Sequence, residues 1–377
     1  MSYCQNSAVK ASFGDRCCAY CLAVNGAKTG ADMAWAAPEY SRDQVNAAAK
    51  LVRTTDIRVI LSDEWDIAFS IMSNWRTSHL FPLNTFKINL RKKALAVDEE
   101  AFVAQRLKRT SSIVKKLNRF STMRLTQMQD IGGCRAVVST IDQVYELTNK
   151  IKDSRIKHKL VNEKDYIKQP KQDGYRGIHI IYKYQSDRKE TYNNHCIEIQ
   201  IRTRLQHAWA TAVETISTLT GQGLKSEQGE AAWKEFFALV GKLFAVREGA
   251  EFLYEDELNE IRKTVRATEI ELRVIERLTA FQRAMKEFVE NPALHNAKYF
   301  LMVLNAQDEQ VIIRAYTQSQ YEQAASDYSV AERGDLTTDS KDTVLVVTDS
   351  VYALRTAYPN YFGDTALFLA NLRQFLA

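Results

Sequence analysis

The segment at 196–203, Cys-Ile-Glu-Ile-Gln-Ile-Arg-Thr, constrains this chain more than any other part of it. Ile197, Ile199 and Ile201 alternate with Glu198, Gln200 and Arg202. A period of two is the signature of a strand whose successive side chains point to opposite faces. Isoleucines on one face demand a core on that side. A carboxylate, an amide and a guanidinium on the other are costly in the middle of a domain unless they are paired or bind something. That polar face therefore reads as the lining of a site.

The rest of the chain supplies the elements such a strand needs. Hydrophobic residues make up 45% and charged residues 26% of 377, with five prolines, which describes an ordered globular protein longer than one ordinary core. Ser41 reads as a helix N-cap, and apolar spacing predicts helices to Leu51, over 65–75 and over 111–120. Strands are predicted at 135–138, 177–184 and 196–201, and helices over 204–216 and 230–290, where Asn291 and Pro292 break the pattern. Beyond them come strands at 299–304, 311–316 and 343–348, a helix over 321–332 and helical pattern over 351–376. The predicted division is a disordered extension over 1–34, a main domain over 35–220, a helical connector over 221–297 and a small α+β domain over 298–377.

Cys4, Cys17, Cys18 and Cys21 crowd the first residues around a short apolar patch. The patch is too short and cysteine-rich for a convincing signal peptide, and Met33 is a candidate natural start. Cys18 and Cys21 have no second pair to complete a four-ligand site, so no zinc is expected. No apolar run approaches the roughly 18 residues of a membrane-spanning helix, so a cytoplasmic protein without a membrane partner is expected. The net charge of +5 is uneven: 87–124 is strongly basic and 305–342 acidic. A basic surface suits polyphosphate or RNA, and an acidic segment could lie over it.

Four segments carry chemistry. In the first, Arg106, Lys108 and Arg109 precede Ser111 and Ser112 at a predicted helix start, where cations and backbone amides can meet phosphate; alone it is equally a solvated basic helix end. In the second, Asp130 and Arg135 flank the paired glycines Gly132 and Gly133, which read as a turn into a strand with Asp130 placed for Mg²⁺, or as an ordinary β-turn. The third, 165–179, gathers Lys171, Tyr175 and His179 around Gly174, a loop able to set an aromatic ring under a base or simply a hairpin. The fourth is the strand itself, followed by His207.

Together and in this order the four resemble the synthetase domain of the RelA/SpoT family, whose members show R-x-K-x-x-x-S-I, D-I-x-G-x-R, P-K-x-N-G-Y and E-I-Q-I-R-T segments. The resemblance implies a nucleotidyltransferase-like mixed sheet flanked by helices, an α+β fold, that transfers the β,γ-pyrophosphate of ATP with Mg²⁺. It implies that Arg106 and Arg135 sandwich adenine, that Lys108, Ser112 and Lys116 hold phosphates, and that Asp130 binds Mg²⁺. Glu198 would share the metal or act as base, and Tyr175 would stack on the acceptor, with Lys171, His179, Gln200 and Arg202 around it. Asp173 stands where the family usually has Asn, which puts the acceptor in question. The stretch between Trp35 and the basic residues is too short for the family's hydrolase domain, so a synthetase without its own reversing activity is expected.

The helical stretch that follows Arg204-Leu-Gln-His-Ala-Trp-Ala and the small α+β domain ending in Ala-Tyr-Pro-Asn-Tyr-Phe at 357–362 resemble CapRel-type fused toxin–antitoxin members of the family. That likeness implies transfer to the 3′ end of tRNA, blocking translation in defence against phage. It also implies a C-terminal pseudo-zinc-finger domain that inhibits through Tyr358 and Tyr361, which would compete for the adenine site until a phage capsid protein binds. Otherwise, two aromatics three apart would read as packing residues. The competing readings are a (p)ppGpp or adenosine alarmone synthetase acting on free nucleotides, and a catalytically dead RNA-binding module. The basic stretch 87–124 favours tRNA, and retention of Asp130 and Glu198 speaks against a mere binder.

Overall fold

The computed structural model describes residues 35–54, 56–60, 62–219, 227–289, 297, 299–305, 310–337, 341–347 and 365–377. Strands β1 (Phe102–Leu107), β2 (Gly132–Val138), β3 (Lys159–Asp165), β4 (Ile178–Lys183) and β5 (Cys196–Thr203) form one mixed sheet in the order β1-β2-β5-β4-β3. β2 and β5 run parallel at its centre, and every other neighbouring pair is antiparallel. The predicted alternating strand is thus the middle of the sheet. Ile197, Ile199 and Ile201 enter a core with Cys134, Ala136, Val138, Ile178 and Ile180. Helix α4 (Leu80–Leu95) closes it with Leu83, Phe86 and Leu90, and α6 (Ile141–Lys152) with Val144 and Leu147.

Helix α4 overturns one expectation. Lys87, Arg91, Lys92 and Lys93 lie on this helix, behind the isoleucine face, whereas Arg106 sits on β1 with its side chain on the opposite face of the sheet. The stretch 87–124 is therefore not one basic surface, because the sheet divides it. The paired glycines are corrected too. Gly132 and Gly133 are the first two residues of β2 rather than a turn.

Apart from the core of the sheet, α1 (Arg42–Val52), α2 (Ile57–Ile60) and α3 (Asp63–Thr77) form a second core. Trp65, Phe69, Met72 and Trp75 pack there against Ile113 and Leu117 of α5 (Thr110–Arg119). Ser41 caps α1 as predicted, in a reciprocal box with Gln44. A third core gathers α7 (Arg204–Leu219), α8 (Glu227–Arg247), α9 (Glu255–Leu272) and α10 (Val274–Val289). A small antiparallel sheet follows, β6 (Tyr299–Asn305) between β7 (Gln310–Tyr316) and β8 (Lys341–Val347), with α11 (Tyr321–Thr337) packed on it. The tail strands fall where the alternation predicted them. The last helix, α12 (Ala366–Leu376), behaves differently from the expected single tail domain: its Phe368, Leu369 and Leu372 are buried in the third core, with Phe236, Phe244 and Val265. Tyr358 and Tyr361 lie outside the described residues.

The α3–α4 junction is tied to the start of β5 by a buried histidine pair. The rings of His79 and His195 are 4.4 Å apart, beside Trp75. His79 Nδ1 donates to the Trp75 carbonyl at 2.8 Å and His195 Nδ1 to the Tyr192 carbonyl at 2.9 Å. Ser78 Oγ, which donates to the Trp75 carbonyl at 2.8 Å, lies 2.8 Å from His195 Nε2 and links the pair to the end of α3. Burial holds both imidazoles below the usual histidine range, His195 at about 4. The unfolded chain therefore takes up these protons before the folded one does, and stability falls as pH drops from about 6.5 towards 4. His195 alone should remove about 2 kcal/mol between pH 6.5 and 5. Melting temperature measured across that interval should decline steeply, and His195→Asn should flatten the slope.

Candidate active site

The polar face of β5 carries a closed ring of hydrogen bonds. Glu198 Oε1 accepts from His179 Nδ1 at 2.9 Å, and Oε2 accepts from Gln200 Nε2 at 2.7 Å. Because Nδ1 donates, His179 Nε2 is the acceptor for the Tyr175 hydroxyl at 2.5 Å. Tyr175 in turn accepts from Arg202 Nε at 3.0 Å, and Arg202 Nη2 donates to Gln200 Oε1 at 2.8 Å. Register explains the meeting: Gln200 is paired with Arg135 on β2 and with His179 on β4, so all three stand in one row across the sheet.

The ring settles the charge of its members. Burial pushes the Glu198 carboxyl up, but the His179 hydrogen bond, Gln200 and Arg202 outweigh it and hold it down at about 2. Burial, with Arg202 and Lys171 nearby, holds His179 below its usual value, so the imidazole is neutral. Arg135 is lowered to about 9, first by burial and then by repulsion from Arg202 and Arg106, with Glu214 pulling the other way.

A second cluster stands where β1 and β2 meet α5. Asp130, two residues before β2, accepts from Lys108 Nζ at 3.1 Å and Lys116 Nζ at 2.9 Å. Lys108 is held by its backbone, whose amide donates to the Ile131 carbonyl and whose carbonyl accepts from Arg76 Nε at 2.6 Å. The first turn of α5, which contains Ser112, has neither a capping side-chain hydrogen bond nor an acidic residue, so its amides and the lysines suit an anion.

The expected catalytic, ATP-binding and acceptor-binding residues thus fall into two groups, one on the polar face of the sheet and one at the junction of β1, β2 and α5. Glu198, His179, Tyr175, Gln200 and Arg202 are joined in the ring, and Asp130, Lys108 and Lys116 in the cluster, with Arg106 on β1 and Arg135 on β2. Lys171 Nζ lies 4.6 Å from the centres of both the Tyr166 and Tyr175 rings. Tyr175 departs from the expected base-stacking platform. Its ring is 9% exposed, is covered by Lys171 and by Arg202 at 4.9 Å, and belongs to the third core. Asp173 uses its carboxylate to accept the Tyr175 amide at 3.0 Å, a turn-closing bond that an Asn oxygen makes equally well.

Sequence reading missed what braces this loop. Gly174 has φ +90°, and a Cβ there would lie 2.8 Å from Ala238 Cα; one on Gly241 would lie 2.8 Å from the Gly174 carbonyl. Helix α8 therefore presses directly on the loop backbone. Trp209 Nε1 adds a bond to the Phe237 carbonyl at 2.9 Å, and Arg176 pairs with Glu251. Glycine spacing in a helix signals close approach, but the partner backbone is far away in sequence.

Residues 105–217 match the family model for the region found in RelA / SpoT proteins. The matched region holds all the candidate catalytic, ATP-binding and acceptor-binding residues, whereas Tyr358 and Tyr361 lie beyond it. Over 118 residues the chain is 30% identical to GTP pyrophosphokinase YjbM of Bacillus subtilis (strain 168), covering 31% of this chain and 56% of that protein. Over 111 residues it is 34% identical to GTP pyrophosphokinase YwaC of the same organism, covering 28% and 52%. The chain thus spans little more than half the length of these curated relatives. Small alarmone synthetase 1 from Bacillus subtilis, solved with its product pppGpp, aligns at 25% identity over 45% of this chain and 93% of its own, with a TM-score of 0.35. Among the described residues no helix is long and apolar enough to cross a membrane.

Two substitutions test the geometry. Tyr175→Phe keeps the ring but strips the partner from His179 Nε2 and Arg202 Nε, each loss worth about 1–3 kcal/mol. Steady-state assay should show a fall in turnover of up to about 100-fold, with a lowered melting temperature. Gly241→Ala inserts a methyl against backbone that cannot yield, and denaturant unfolding should show a loss of about 1–3 kcal/mol.

Proposed function

We infer that this chain is a pyrophosphokinase, in which an acceptor hydroxyl attacks the β-phosphorus of ATP, the bond to the α-phosphate breaks, and AMP leaves. The observation that carries the reading is the hydrogen-bonded Glu198 ring on the same sheet face as Arg106 and Arg135, together with the lysine–Asp130 cluster, within the region that matches RelA / SpoT proteins. Transfer of this kind needs alignment and charge neutralisation more than covalent chemistry.

Roles follow the family resemblance. Arg106 and Arg135 are assigned to adenine, and Lys108, Ser112 and Lys116 to the phosphates. A carboxylate at about 2 is a poor base, so Glu198 serves by accepting the hydroxyl's hydrogen bond and orienting it. Lys171, Tyr175, His179, Gln200 and Arg202 support the acceptor side. Asp130 and Glu198 offer hard oxygen donors, which suit Mg²⁺. Bound there, Mg²⁺ would offset phosphate charge. Among the described residues no group of three or more potential ligands gathers.

For the acceptor, our reading is the 3′-hydroxyl of tRNA, with the C-terminal segment as an internal inhibitor that a phage capsid protein relieves. Its support is the CapRel-like order of segments and the position of α11, which lies against α5, the helix bearing Ser112 and Lys116. Competition of Tyr358 and Tyr361 for the adenine position belongs to the same proposal. A second reading, transfer to a guanosine nucleotide, is favoured by the division of the basic stretch between two sides of the sheet and by the Asn-like use of Asp173.

The test is transfer of label from γ-³²P-ATP with Mg²⁺ to GDP, GTP and tRNA offered together. Because α12 is part of the third core, the full chain is used and inhibition is probed by Tyr358→Ala with Tyr361→Ala. Label on tRNA, raised by the double substitution and abolished by Glu198→Gln, is the expected result. Label on guanosine nucleotides selects the second reading, and transfer to none of the three overturns the activity.

A further inference from the structure

Glu214 on α7 stands outside the motifs and outside the ring, yet the charge of the site's arginines acts on its carboxylate. The inner face of α7 is fixed by Leu205, Ala208, Trp209, Ala212 and Ile216 in the third core, while α7 also lies against β2 and β5. His207, two helical turns before Glu214 and so on the same face, has its ring 5.3 Å from Phe102 of β1, edge to face. This face of α7 therefore looks onto the polar side of the sheet.

Four arginines from four different places act on Glu214 through their charge: Arg106 on β1, Arg135 on β2, Arg202 on β5 and Arg109 at the N-cap of α5. Burial pushes the Glu214 carboxyl up, and Arg106, Arg135, Arg202 and Arg109, in that order, outweigh it and hold it below the usual range. Left to themselves the arginines repel one another, as the mutual effects of Arg202 and Arg106 on Arg135 show. Arg202 spends Nε and Nη2 within the Glu198 ring, while its buried Nη1 makes no hydrogen bond. The two other carboxylates of the site are already engaged, Glu198 in the ring and Asp130 by Lys108 and Lys116. Glu214 is thus the anion shared by the arginines of β1, β2 and the α5 N-cap.

We propose that Glu214 is a positioning residue, an internal counter-ion carried on α7 that keeps Arg106, Arg109, Arg135 and Arg202 gathered on one side of the sheet for an incoming polyphosphate nucleotide. The proposal rests on the pyrophosphokinase reading for its nucleotide, but not for its electrostatics. A core-anchored helix carries the charge, so the carboxylate stays in place while the arginines adjust around it. Without it, the guanidinium groups would separate, and an external anion would have to gather them again.

The experiment compares the full-length chain with Glu214→Gln, which removes charge at constant shape, and Glu214→Asp, which keeps the charge. In the transfer assay Glu214→Gln should raise the KM for ATP by about tenfold or more with kcat changed less than about threefold, a loss of binding rather than of chemistry. Glu214→Asp should recover most of it. Melting is read in parallel with and without inorganic tripolyphosphate, which needs no catalysis. Glu214→Gln should melt below the wild type in buffer and gain more from tripolyphosphate, closing the gap. An unchanged KM, or a melting deficit that Glu214→Asp shares and tripolyphosphate does not repair, overturns the proposal and leaves Glu214 a packing residue. Absence of transfer by the wild type would sink the pyrophosphokinase reading, while the melting comparison would still decide the counter-ion role.

Discussion

A carboxylate in the middle of a sheet sets the terms for everything around it. Glu198 has only 14% of its side chain exposed and remains ionised, which demands donors on both oxygens and positive charge close by. Those donors come from its own strand and from β4, and the ring closes through Tyr175 on the loop before β4. Each member is thereby fixed in one tautomer or one orientation. Such a network holds its members to a single geometry, which is what group transfer without covalent chemistry requires.

The ring could not close from the sheet alone. Tyr175 reaches it because Gly174 and Gly241 let α8 press on the loop, and because Trp209 bonds to the backbone of α8. The helices after β5 are accordingly part of the site's scaffold rather than a spacer. Their core also takes in α12, so the last helix of the chain contributes to the platform under Tyr175. A change in the C-terminal segment thus has two physical routes to the site, through α11 against α5 and through α12 in the third core.

Charge is arranged as opposed sets rather than as a patch. Lysines and Asp130 neutralise each other at the mouth of α5, arginines and Glu214 do so over β1 and β2, and Glu198 sits among Arg202, His179 and Gln200. The basic residues of α4 lie behind the sheet and take no part. Net charge along a stretch of sequence says little about a surface when a sheet runs between its two ends.

The central strand was legible from the sequence because period-two alternation is a local property that burial on one side imposes. The same holds for the Ser41 cap, the tail strands and the four charged segments. Helix α4 was not legible: Leu83, Phe86 and Leu90 recur at helical spacing, but the lysines and arginine between them read as a binding stretch. β3 was missed because it is an exposed edge strand, with charged residues where alternation would show. Tertiary structure alone decided which side of the sheet each cation occupies, that the Tyr175 ring is covered rather than presented, that α8 braces the loop and that Glu214 lies in the field of four arginines. Those facts depend on contacts between residues far apart in the chain, and periodicity within a segment carries no information about the partner it will meet.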